Sequence, residues 1–233
     1  KNWDNKTWLS SKKYIKSFNE FLLKQIRLNR DSQILDIGCV RGKILGFLYS
    51  KLRLKIKPIG IDIEIHKDRD KRINFKKIDA LSFFSSNKKK FDTILIKQTI
   101  HLFSLNEIKT LLIQIKKNLK PRGKVFIFMI NPNKNEFPQF RLMKKKFSDS
   151  LKRQKRISKI IFDLYPNSSL KNFTYKVRIS KKEYSKMISK KFMSILLNLS
   201  KKQIMSGIEE IDSKYKKNLK FNDKLVCIII KNN

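Results

Sequence analysis

Apolar and polar positions along this chain follow two periods. Over 8–28, Tyr14, Phe18, Phe21, Leu22 and Ile26 recur at helical spacing with lysines between them, which predicts an amphipathic N-terminal helix. Short apolar runs then predict strands at 33–38 (QILDIG), 57–63 (KPIGIDI), 73–80 (INFKKIDA), 91–97 (FDTILIK) and 124–130 (KVFIFMI). Helices are expected between them at 42–54 and 105–119. The second has Leu105, Ile108, Leu112, Ile115 and Leu119 on one face and opens on a capping box, Ser104 with Glu107. KPRG at 120–123 reads as a turn. Strands joined by helical crossovers form mostly parallel sheets covered by helices on both faces.

From 131 onward the pattern changes. Residues 131–172 are polar and basic, with NPNKNEFP as a loop and one or two helices after it; this stretch is expected to be a helical lid, or a wall, inserted after the fifth strand. FTYKVRI (173–179) alternates as a strand does. Two further capping boxes, Ser180 with Glu183 and Ser200 with Gln203, predict helices at 181–198 and 201–217, and FNDKLVCIIIK (221–231) closes the chain as a β-branched strand. With no long linker and no repeat, 1–233 is expected to be one α/β domain. It divides into an N-terminal helical cap (1–30), a core (31–130), the insertion (131–172) and C-terminal strands and helices (173–233).

Composition narrows the chemistry. At 233 residues with 40% apolar positions and 17 Phe, the chain can fill a core of its own. Two cysteines, Cys39 and Cys227, and two histidines, His66 and His101, make neither a disulfide framework nor a structural metal site, so no metal is expected, and a reducing, cytoplasmic setting is. The longest apolar runs fall far short of a membrane span, and the first 25 residues hold no signal-like stretch. The net charge of +37 would attract a polyanion. Yet lysine far outnumbers arginine, alanine occurs once, at Ala80, and the basic residues are spread throughout. That pattern fits A+T-rich codon usage better than a nucleic-acid interface, so nucleic acid ranks behind a small molecule as partner.

Ligands of open parallel sheets sit beyond the carboxyl ends of the strands. Asp36, Asp62 and Asp79 close the first three predicted strands in a chain with only 19 acidic residues. The loop after the first strand, Gly38-Cys39-Val40-Arg41-Gly42, matches neither the dinucleotide fingerprint nor a P-loop. It fits D-x-G-x-x-x-G. In LDIGCVRG, GIDI, IDAL, FDTILIKQTIHLF and LKPRGKVFIF, the chain resembles class I S-adenosylmethionine-dependent methyltransferases, over about 100 residues from Ile34 to Ile130, in the branch acting mostly on small molecules (methyltransferase type 11/25-like). The resemblance implies a Rossmann-like, seven-stranded sheet whose last strand is antiparallel.

It also implies site roles. Asp36, Gly38, Cys39 and Gly42 would surround the methionyl part of S-adenosylmethionine, Asp62 with Ile63 the ribose, and Asp79 with Ala80 the adenine. Acceptor-only carboxylates suit ammonium, hydroxyl and amine donors; each acid would also serve as an ordinary cap or turn residue. Lys97 and His101 are the catalytic candidates: His101 as general base or as a packing residue, Lys97 as a holder of the cofactor or of an acidic acceptor, or as a plain surface lysine. Tyr14 is expected to close over the cofactor, or to belong to the core. Phe192, Met193 and Ser194, in KMISKKFMSILLNLS (186–200), are the candidates for the acceptor pocket. Val40 stands where the family has glycine. It would cost little at negative φ and be strained at positive φ, and cofactor binding is expected to survive it, weakened. The leading expectation is O- or N-methylation of a small molecule, with S-adenosylhomocysteine as by-product. RNA methylation lacks its N-P-P-Y signature here, and a non-catalytic cofactor-binding relative is the third reading.

Overall fold

The structure, a computed structural model, describes residues 7–131 and 135–232. Seven strands form one sheet in the order β3-β2-β1-β4-β5-β7-β6. They are β1 (Ile34–Ile37), β2 (Ile59–Asp62), β3 (Asn74–Lys77), β4 (Phe91–Lys97), β5 (Leu119–Ile130), β6 (Ser169–Ser180) and β7 (Asn218–Lys231). The first five run parallel, and β7 pairs antiparallel with both β5 and β6. Six strands therefore share one direction and the last opposes them: the Rossmann-like methyltransferase fold.

Helices cover both faces because both faces of the central strands are apolar. All four positions of β1 are buried, as are Thr93 to Ile96 of β4. One face packs on α1 (Lys12–Leu23), α2 (Lys43–Leu52), α6 (Lys181–Ser189) and α7 (Lys201–Lys214), the other on α3 (Ala80–Ser86) and α4 (Leu105–Lys117). The long helix α5 (Arg141–Leu164) serves both: Met143 and Phe147 join the first core, Ile157 and Ile161 the second. No helix among the described residues is long and apolar enough to cross a membrane.

Several predicted boundaries move. The N-terminal helix is a 3-10 turn, Trp8–Ser10, followed by α1, whose cap Ser11 accepts a hydrogen bond from the Tyr14 amide at 3.1 Å. The third strand is shorter, because Asp79 caps α3 by accepting from the Ser82 amide at 2.9 Å. KPRG lies inside β5 as a bulge: the register jumps from Phe91 opposite Leu119 to Thr93 opposite Lys124, and Arg122 takes φ 62°. The helix expected over 181–198 stops at Ser189. Lys191, at φ 53°, donates its amide to Ile188 O in a left-handed cap, and a 3-10 turn, Ser194–Leu196, follows. All three capping boxes form as expected. The loop expected at 131–138 lies partly outside the described residues.

Candidate functional site

The β1 strand ends in a tight turn. Gly38 and Gly42 sit at φ 73° and 65°, where only glycine is unstrained. A Cβ on Gly38 would collide with the Thr99 side chain, and one on Gly42 with Ile73. Val40 shares the left-handed geometry at φ 51°. The low-cost placement at negative φ is not the one the chain adopts, and a β-branched residue here is strained. Its amide explains why the loop is held this way: Val40 N–H donates to Asp62 Oδ2 at 2.8 Å, and the Gly38 and Cys39 amides both donate to Ile61 O, at 2.9 and 3.1 Å.

Above this loop opens a cavity of about 530 Å³, ample for a cofactor-sized ligand. It brings together Asp36, Gly38, Cys39, Asp62, Ile63, Asp79, Ala80 and Lys97 from the sequence-based candidates. The strained Val40 lines the wall without filling the space. Gly42 lies at the first turn of α2 beneath the loop, outside the lining.

The three carboxylates differ in environment. Asp36 is 3% exposed, and its Oδ1 has no hydrogen-bond partner. Burial pushes its pKa up to about 7, with the Lys97 charge pulling it down and Asp62 pushing it up. An orphaned buried acceptor facing a cavity calls for a donor. Asp62 is half-buried and takes the Val40 and Glu64 amides, one on each oxygen, at 2.8 and 3.0 Å. Each oxygen has lone-pair capacity left for a second donor. Asp79 is exposed, and hydrogen bonds from the Ser82 side chain and amide hold its pKa below the usual range.

The other candidates lie elsewhere. His101 sits in a 3-10 turn, Ile100–Leu102, which directs Leu102 and Phe103 to the cavity but not His101. Burial, then the Arg153 charge, lowers its pKa, and its carbonyl accepts from Arg153 Nε at 3.3 Å. Tyr14 is fully buried under Lys97, whose Nζ lies 5.2 Å from the ring centre. Phe192, Met193 and Ser194 do not line the cavity. The left-handed cap at Lys191 turns Phe192 into an aromatic cluster with Trp8 and Tyr184, leaves Met193 packed against the core and exposes Ser194. No described residue of α5 reaches the cavity; among the described residues, Leu9, Ser10 and Ile15 of the N-terminal segment contribute to its wall. Sequence reasoning missed Leu9, Ser10, Thr99, Leu102 and Phe103. Only the loop after β4 carried a signal, and it pointed one residue away, at His101.

The model of the methyltransferase-domain family matches residues 28–192, more than half of the chain. The chain belongs to the methyltransferase-domain family. The cofactor of this family is S-adenosylmethionine. Among solved structures, this methyltransferase is similar to the plantazolicin methyltransferase BpumL in complex with a desmethylPZN analogue and S-adenosylhomocysteine, at 18% identity, covering 100% of this chain and 88% of that one, TM-score 0.54. It is likewise similar to an S-adenosylmethionine-dependent methyltransferase from Archaeoglobus fulgidus, at 18% identity over 93% and 94% of the two chains, TM-score 0.54. These likenesses speak for the fold. A curated relative, des-methyl DIF-1 methyltransferase A of Dictyostelium discoideum, is 23% identical over 133 residues, 51% of this methyltransferase. The match spans only 37% of that relative's length.

Proposed function

We propose that this methyltransferase transfers a methyl group from S-adenosylmethionine to an oxygen or nitrogen of a small-molecule acceptor. One observation carries the reading: the carboxylates at the carboxyl ends of β1, β2 and β3 line a single cavity above a glycine turn. The Asp36 oxygen without a partner, beside the Gly38 backbone in the cavity lining, fits the cofactor's amino-acid end. In this reading Asp36 accepts from the ammonium, and Lys97, opposite in charge on the neighbouring strand, faces the carboxylate of cofactor or acceptor. Asp62 takes the ribose hydroxyls with its remaining lone pairs, and Asp79, exposed at the cavity edge, takes the adenine amino group. Ile63 and Leu102 are 64% and 68% exposed, and both line the cavity; a flat ring between them would cover apolar surface that water now wets.

The cofactor supplies a methyl group already activated by a sulfonium, so the protein's part is mostly placement and exclusion of water. Leu9, Ser10 and Ile15 roof the cavity against solvent. Two of the similar proteins, a plantazolicin methyltransferase and a des-methyl DIF-1 methyltransferase, support this acceptor class. The two buried free thiols, Cys39 and Cys227, fit a reducing cytoplasmic setting. Incubation with methyl-labelled cofactor and fractionated small metabolites should label a low-molecular-weight product. Label appearing only in RNA would overturn the acceptor class.

A further inference from the structure

The turn after β4 departs from ordinary residue use at Gln98 and at Thr99. Gln98 takes φ 53°, in the left-handed region, while its amide donates to Phe128 O at 2.8 Å. Such backbone at a residue other than glycine is uncommon and concentrates at functional sites. Thr99 follows as the N-cap of the 3-10 turn Ile100–Leu102. An N-cap threonine usually gives its oxygen to an amide of the next turn, yet Thr99 makes no side-chain cap. Its hydroxyl instead donates to Lys97 O at 3.1 Å. The side chain lies against Gly38, where an added Cβ would fall 2.2 Å from Thr99 Oγ1.

The stoichiometry of a hydroxyl decides what Thr99 offers a ligand. A hydroxyl has one hydrogen and two lone pairs, and a carbonyl oxygen can only accept. The Thr99 hydrogen is committed to Lys97 O, so what remains for a ligand of the cavity it lines is lone pairs. Ser10, in the N-terminal part of the same lining, repeats the pattern: its hydroxyl donates to Thr7 O at 3.0 Å. The hydroxyl side chains of the described lining are thus set to accept hydrogen bonds. Strand order adds the location. The carboxylates assigned to adenine, ribose and the amino-acid end follow β3, β2 and β1 along the sheet, and β4 is the next strand. Thr99, at its end and touching Gly38, stands beyond the amino-acid end of the cofactor, on the side left for the acceptor.

We propose that Thr99 is a specificity-determining residue for the methyl acceptor: its oxygen accepts a hydrogen bond from the nucleophile, whose reacting group is a hydroxyl or neutral amine and not a carboxylate. This rests on the cofactor-site reading above. Held by its polar hydrogen, the nucleophile aims a lone pair at the methyl carbon. The new bond forms as the carbon–sulfur bond breaks, sulfur keeps the electron pair, and the nucleophile's proton leaves to water. A carboxylate nucleophile brings no hydrogen and would meet the Thr99 lone pairs with its own.

The test incubates the wild type, Thr99→Val and Thr99→Ser with methyl-labelled S-adenosylmethionine and fractionated small metabolites, then treats the product with mild alkali. Ethers and methylamines keep the label, whereas a methyl ester releases it as methanol; the label should stay. Thr99→Val keeps the branched shape against Gly38 without the hydroxyl, and should slow labelling about three- to tenfold, the worth of one neutral hydrogen bond. Thr99→Ser keeps the hydroxyl and should label at nearly the wild-type rate. Calorimetric affinity for S-adenosylhomocysteine should be the same in all three. Alkali-released label, or undiminished labelling by Thr99→Val, overturns the proposal. So does a parallel loss of S-adenosylhomocysteine affinity, which would show that Thr99 only seats the turn. If Thr99→Val does not fold, alkali treatment of the wild-type product decides alone. Wild type that binds S-adenosylhomocysteine but labels no small molecule would overturn the acceptor class and this inference with it; wild type that binds none would remove the cofactor site itself.

Discussion

At Val40, an L-residue with a branched side chain is held in a conformation that suits glycine. Left-handed backbone costs about 1–2 kcal/mol for such a residue, partly offset by the freedom that glycine adds to the unfolded chain. Val40→Gly should therefore raise stability by about 1 kcal/mol and tighten cofactor binding, both readable as melting temperature with and without S-adenosylhomocysteine. An unchanged or lower melting temperature would show that the strain is relieved elsewhere. Asp36 gives a pH signature. Its folded pKa of about 7 exceeds that of the unfolded carboxyl, near 4. The folded chain thus keeps a proton that the unfolded chain has lost, and ligand-free stability falls as pH rises from about 4 to about 7. Asp36→Asn removes that loss. Its melting temperature should gain on the wild type across this window and hold the gain above it, while its cofactor affinity drops at least about tenfold. A variant that gains nothing at pH 8 would contradict the burial argument. The sequence showed Asp36, Asp62, Asp79 and the glycine bend as one constellation, because strand-end position and residue type are both local properties. It could not show φ at Val40, which is set by the pull of Asp62 on its amide across the turn.

Among the elements, those with an apolar run, a periodic face or a capping box were legible: the seven strands, α4, and every helix start marked by a capping box. Short or interrupted helices were not. Helix α3 has seven residues, too few for its apolar positions to show a helical period, and the stop at Ser189 depends on a lysine adopting a glycine-like cap. The acceptor-pocket assignment for Phe192 to Ser194 failed to reach the cavity for the same reason. The roof of Leu9 and Ser10 follows from tertiary packing of Trp8 against Phe137, Phe192 and Phe221, which no local pattern announces. Helix α5, expected as a lid, acts on the cavity at one remove. Arg153 Nη2 donates to Phe103 O at 2.6 Å, and its Nε to His101 O, pinning the turn that carries Leu102. Arg153→Ala should loosen that turn and weaken S-adenosylhomocysteine binding by roughly three- to tenfold, the worth of about one ordinary hydrogen bond, with little change in melting temperature. Equal affinity would mean that the turn holds itself.

For the molecule as a whole, the net charge of +37 must repel itself when the chain is compact. Raising ionic strength from about 0.01 to about 0.15 M shortens the screening length from about 30 to about 8 Å, so the melting temperature should rise with salt. A flat response would mean that local pairs already neutralise the field. The charge says nothing about the fold. The antiparallel last strand was legible only through the family resemblance, and the sheet order, with β7 inserted between β5 and β6, not at all, since long-range pairing leaves no local trace. What unites the scales is a cavity lined by three strand-end carboxylates, which we propose meet one adenosyl cofactor. Calorimetric titration of S-adenosylhomocysteine into the wild type and Asp62→Ala puts that meeting to the test. One saturable site in the wild type, weakened at least about thirtyfold by loss of two charge-assisted hydrogen bonds, is the expected result. No binding heat in the wild type, or equal affinity in the variant, would contradict it.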